Sequence, residues 1–141
     1  MTALIMAQGS LFGELAHRLY ADAVLIEIEL RNLARAETDT LAAIEAGARM
    51  ILEATFRAGQ YRVLSDVVQR LDDGSWHLIE VKSSTKVKPE HIPDLAFQCF
   101  VMGQAGYSVS RCSVLHANTA GYLPDLTSLF KVVDVTRQVE A

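Results

Sequence analysis

The sequence is short of cysteine, of positive charge and of long apolar runs, and each shortage removes a class of protein. Its two cysteines, Cys99 and Cys112, form no CxxC pair, which argues against a disulfide framework, a zinc site or an iron–sulfur site. Lysine and arginine total 13 against 17 aspartates and glutamates, a net charge of −4, which argues against strong non-specific nucleic-acid binding. No stretch is long enough to span a bilayer. Met1 to Ala7 is apolar but too short, and it lacks a basic start, so no signal or transit peptide is expected and a cytoplasmic location follows. There is no internal repeat, no low-complexity linker, no Ser–His–Asp arrangement, no P-loop and no glycine-rich dinucleotide turn. What remains is 141 residues, half of them hydrophobic: one globular domain, long enough to bury about two-thirds of its unfolded surface.

The most informative stretch is Trp76 to Ser84, an apolar and β-branched run that holds Glu80 and Lys82. Such a run reads as a strand, and residues two apart on a strand share a face. Upstream, Arg62 to Leu71 reads as a second strand with one acid, Asp66, in its middle. Asp72-Asp73-Gly74 between them reads as a three-residue hairpin loop, a type I turn closed by Gly74 in the left-handed region. In that register Leu71 faces Ser75 and Asp66 faces Glu80, with Lys82 one pleat along. Two opposed carboxylates repel unless a cation lies between them. A two-residue turn on Asp73-Gly74 would instead pair Asp66 with Val81 and send the acids to opposite faces.

Around this pair the chain reads as follows. Ser10 to Tyr20 is a helix capped by Ser10, with Phe12, Leu15, Ala16 and Leu19 as its buried stripe and His17 beside it. From the residues alone His17 is a structural or exposed histidine sooner than a ligand. Ala23 to Ile28 is extended or irregular. A second helix starts at Thr38 or Asp39 and ends near Ala48. Met50 to Arg57 is a strand in which Met50, Leu52, Ala54 and Phe56 alternate with Ile51, Glu53, Thr55 and Arg57; Glu53 either pairs with Arg57 or solvent, or serves a site. Ala58-Gly59-Gln60 turns the chain into the Asp66 strand, completing an antiparallel meander. Lys86 and Lys88 are solvated loop lysines or phosphate contacts. A helix from about Ile92 to Gln104 has Pro93 in its first turn, packs Leu95, Ala96, Phe100 and Val101, and puts Asp94 and Gln98 on one face. Tyr107 to His116 is a fourth strand, and the strand–helix–strand connection before it allows a parallel neighbour, right-handed by rule. Asn118 to Tyr122 is a loop, Leu126 to Phe130 a short helix, and Val132 to Val135 extended.

Asp66, then Glu80-Val81-Lys82 about fourteen residues later, resembles the signature of the PD-(D/E)XK nuclease superfamily. Gly13 to His17 is similar to the Gly-x-x-x-His helix of its RecB-like branch, and Glu53 to Phe56 to that branch's Glu-x-x-Phe strand. Gln98 resembles the glutamine of the branch's Gln-x-x-x-Tyr motif, with Met102 in the tyrosine's place. Glu80 to Ser84, Asp94 to Gln98, and His116, Asn118 and Tyr122 are closest to a bacterial family of uncharacterised RecB-like domains, and the likeness covers nearly the whole chain.

The resemblance implies a restriction-endonuclease-like three-layer α/β core: a mixed four-stranded sheet, meander plus one strand, flanked by helices. It implies a single nuclease-like domain over residues 1–141. Because the chain stops just after Asp134-Val135-Thr136, where family members continue, a piece of a longer protein is expected. It further implies a deoxyribonuclease that hydrolyses phosphodiester bonds with Mg²⁺ or Mn²⁺. The metal ligands are then His17, Asp66, Glu80 and the carbonyl of Val81; Lys82 holds the attacking water or a phosphate oxygen; Gln98 orients the nucleophile or a base. Glu53 and Asp94 are accessory acids, and Lys86 and Lys88 phosphate contacts. DNA is the expected substrate, and further domains or a repair or defence complex the expected partners. Bound cations would offset the acidic site, so the net charge of −4 does not exclude this reading. Two alternatives stay open. One is a Holliday-junction-resolvase-like enzyme of the same fold, against which the charge and the His17 motif both count. The other is a nuclease-fold module that has lost catalysis and binds nucleic acid or protein; Met102 favours it and intact Asp66, Glu80 and Lys82 oppose it.

Overall fold

The computed structural model of the chain describes residues 2–122 and 124–140. The elements, in order, are α1 (Thr2–Leu19), β1 (Val24–Leu25), α2 (Leu33–Glu45), β2 (Met50–Ala58), β3 (Tyr61–Arg70), β4 (Trp76–Val81), α3 (His91–Gln104), β5 (Val109–Ala117), a 3₁₀ turn (Leu126–Leu129), β6 (Phe130–Asp134) and α4 (Thr136–Glu140). The six strands form one mixed sheet whose spatial order follows the sequence. β2, β3 and β4 are an antiparallel meander, β5 runs parallel to β4, and β6 returns antiparallel. β1 adds to the outer edge of β2 in parallel. The sheet is therefore six-stranded, not four-stranded. β1 is too short for alternation to reveal, and exposed Lys131 and Asp134 break the apolar pattern of β6.

Helices cover both faces. On one, Ala36 of α2 and Leu95, Val101 and Met102 of α3 pack with Ile51, Ala54, Phe56, Val68, Leu78 and Val114. On the other, Ala16 of α1, with Phe12, Leu15 and Leu19, packs over Leu52, Val67, Ile79, Leu115 and Phe130. Fully burying side chains of this size contributes roughly 1.5–3 kcal/mol each. Met102, in the place of the family's tyrosine, is wholly buried, whereas Phe100, expected in the core, points to solvent at 54 % exposure.

Two helix starts differ from the sequence reading. Ser10 lies inside α1 and does not cap it. α2 begins at Leu33, capped by Asn32, whose side-chain oxygen accepts from the Arg35 N–H; Thr38 and Asp39 are interior. Among the described residues no helix is long and apolar enough to cross a membrane.

The hairpin loop matches the three-residue expectation. Leu71 C=O accepts from Gly74 N–H at 2.9 Å, Leu71 N–H donates to Ser75 at 2.8 Å, and Gly74 sits at φ +87°. The ladder above it pairs Arg70 with Trp76 and ends at Val67 with Ile79, so Asp66 and Glu80 are the next residues on the two strands.

Candidate active site

The strict alternation expected of β2 fails at one residue. Glu53 has φ +58°, the one positive value outside glycine among the described residues. Left-handed backbone in a β-strand costs a non-glycine residue roughly 1–2 kcal/mol. Its effect is to change the strand's face. Ile51 packs toward α2 and α3, and beyond Glu53 so do Ala54 and Phe56. β3 makes the matching change: Val63 and Val68, five residues apart, lie on that same face, while Val67 faces α1. Because both strands shift at one level, their register is kept, Leu52 with Val67 below and Ala54 with Ser65 above. Glu53 and Asp66 stand at that level and open into a cleft.

The cleft, about 320 Å³, is lined by Phe12, Gly13 and His17 of α1, Glu53 of β2, Asp66 of β3, and Val81, Lys82 and Ser83 at the end of β4. His17 Nε2 donates to Glu53 Oε1 at 3.1 Å. Arg57, the alternative partner for Glu53, donates to Gly59 C=O instead. Asp66 Oδ2 accepts from the Val81 N–H at 2.7 Å, which fastens the Asp66 carboxylate to the strand that carries Glu80 and Lys82.

Glu80 lies behind the cleft wall, on the α3 side; it shares a level with Asp66 but not the face expected for the pair, because the change of face in β3 turns Asp66 toward α1. Gln98 Nε2 donates to its Oε2 at 2.8 Å, and Lys82 Nζ stands 3.4 Å from its Oε1. Lys82 Nζ also donates to Asp94 Oδ2 at 3.1 Å. Ser65 Oγ donates to Gln98 Oε1 at 2.8 Å, which fixes the amide so that its NH₂ must face Glu80. Ser65 is fully buried and was not singled out in the sequence. The available signal was a hydroxyl inside an apolar strand, which needs a partner once buried.

Burial pushes the Asp66 carboxyl up to about 6, with the charge of Glu53 adding to it and the Val81 N–H opposing. Burial and the charge of Asp66 push Glu80 up to about 8. Burial alone would lower Lys82, but Glu80 and Asp94 outweigh it and hold the ammonium above its ordinary value. The site thus carries more negative charge than its one lysine balances.

That donor set, three carboxylates, an imidazole and a strand-end carbonyl, has the hard oxygen chemistry that suits Mg²⁺ or Mn²⁺. The side-chain donors stand in two pairs, His17–Glu53 and Asp66–Glu80, and among the described residues no three His, Cys, Asp or Glu side chains converge as a metal-holding group. Lys86 and Lys88 are exposed and do not line the cleft. His116 is buried against its own strand, with Nδ1 2.9 Å from Ala117 O. Asn118 is spent on the loop, donating to Ser128 C=O. The chain matches no protein-family model and no curated protein.

Proposed function

We propose that the protein is a divalent-metal-dependent nuclease that hydrolyses DNA phosphodiester bonds, built on a restriction-endonuclease-like core. The observation that carries the reading is the assembly of Asp66, Val81 and Lys82 with His17 and Glu53 in one cleft, with Glu80 held directly behind it. These residues come from four elements, and the sequence pattern nominated every one of them. Asp66, His17 and the Val81 carbonyl would hold the metal from the cleft, with Glu80 turning toward it from beside Asp66 and Glu53 as a further ligand or as the orienter of His17. A bound Mg²⁺ or Mn²⁺ would supply an acidified water and neutralise charge growing on the phosphate. Lys82, kept protonated by Glu80 and Asp94, offers its N–H donors to a phosphate oxygen or to the attacking water. Gln98, fixed by Ser65, keeps the Glu80 carboxylate in one orientation. Met102 belongs to the core and so gives no support to the binding-module alternative.

The test is cleavage of DNA at low salt with Mn²⁺ or Mg²⁺, stopped by EDTA. Lys82→Ala should cut at least about 100-fold more slowly while still binding Mn²⁺. Asp66→Ala should lose both. Absence of cutting, or cutting that survives Lys82→Ala, overturns the proposal.

A further inference from the structure

The two cysteines, separate in sequence, meet in the fold. Cys99 on α3 and Cys112 on β5 place their sulfurs 3.1 Å apart. Both are free thiols, and they line a hollow that shares no residue with the cleft. Their accessibilities differ in a useful way. Cys112 is 3 % exposed, held in place by Thr136, whose Oγ1 accepts from its N–H at 3.0 Å. Cys99 is half-buried, and both line a hollow of about 280 Å³ with Ala96, Phe100, Val109 and Thr136. One sulfur can therefore be reached by a small reagent, and the second waits beside it.

We propose that Cys99 and Cys112 form a reversible dithiol–disulfide pair, oxidised by a small peroxide, that pins α3 to β5. The hydrogen bond from Cys112 lowers the Cys99 thiol below its ordinary value, which favours Cys99 as the attacking thiolate. Its sulfur attacks one oxygen of hydrogen peroxide; the O–O bond breaks, and the leaving hydroxide takes a proton to become water. The product at Cys99 is a sulfenic acid. Cys112 sulfur then attacks Cys99 sulfur, the S–O bond breaks, and the departing hydroxide leaves as water with the Cys112 proton. Two thiols and one peroxide give one disulfide and two waters; the sulfurs lose two electrons and the peroxide gains them. An S–S bond is about 2.05 Å long, so closure asks the sulfurs to approach by roughly 1 Å.

The experiment treats the full chain with hydrogen peroxide, alkylates it with iodoacetamide, and reads intact mass and a non-reducing gel. The expected product is a monomer that has lost two hydrogens and takes no alkyl group, with both thiols restored by dithiothreitol. Cys99→Ser should leave Cys112 reduced under the same treatment. The oxidised chain should melt roughly 5–10 °C above the reduced one, because the bond restricts the unfolded chain by closing a loop of about 15 residues, a gain smaller than a longer loop would give. Retention of both thiols, addition of oxygen without loss of hydrogen, or cross-linked dimers each overturn the pairing. An unchanged melting temperature overturns the claim that the bond pins α3.

Discussion

Glu53 shows how one residue can carry both a cost and a use. Its left-handed backbone lets β2 change face without losing register with β3, and the change brings the Glu53 carboxylate to His17 and the cleft. Nothing in the local sequence announces this, because a glutamate in a β-branched run gives no sign of φ +58°. The residue could be nominated, but its conformation could not. Glu53→Gly should therefore stabilise the metal-free protein by about 1 kcal/mol in urea unfolding, since glycine adopts this backbone freely. Glu53→Ala removes the same carboxylate and keeps the strain, so it should show no such gain. Equal stability changes in the two variants would mean that the backbone at this position is not strained.

At the scale of elements, the three-residue turn fits the register in which the acids meet. Gly74 closes it at φ +87°, and the resulting count places Asp66 and Glu80 on the same level of β3 and β4. This part was legible only as a choice between two turns, because Asp-Asp-Gly between two β-branched runs admits few, while consecutive apolar pairs such as Val67-Val68 and Leu78-Ile79, buried on both faces, leave the register unselected. The edges of the sheet were not: β1 offers two residues, and β6 mixes buried Phe130 with exposed Lys131 and Asp134. The start of α2 was missed because Asn32 competes with Thr38 and Asp39, equally good caps by residue type. Gly74→Ala should cost about 1–2 kcal/mol. It should leave Mn²⁺ affinity unchanged, because buried Val67 and Val68 opposite Ile79 and Leu78 hold the register without help from the turn. Isothermal titration beside urea unfolding checks both halves; a loss of affinity would show that the turn alone sets the pairing.

For the whole molecule, the acids tie stability to pH. Asp66 and Glu80 are raised from 3.8 to about 6 and from 4.5 to about 8, so the fold prefers their protonated forms. Stability from that preference is fully present below about pH 4 and is lost as pH rises through 6 and then 8. His77 and His91 are lowered, by burial first, so they cost stability on the acid side instead. The clean window is pH 7 to 8, above the ordinary histidine value, where the metal-free chain should lose up to about 1 kcal/mol, at ~1.4 kcal/mol per pH unit for one extra bound proton that is itself half lost by pH 8. Glu80→Gln should flatten the slope when urea midpoints are compared across the window; an unchanged slope would assign the proton elsewhere. The strand order has a consequence for how the chain reaches this state. Because space follows sequence from β1 to β6, the tight turns of the β2–β4 meander close over short distances. Gln98 and Asp94 arrive on α3, and β5 can pair in parallel only after that crossover. Loop closure over short spans comes first at least entropic cost. The acids Glu53, Asp66 and Glu80 thus belong to one continuous stretch of chain, while the amide that holds the last of them arrives only across the helical crossover to β5, so a cut between β4 and α3 would part the acids from their clamp.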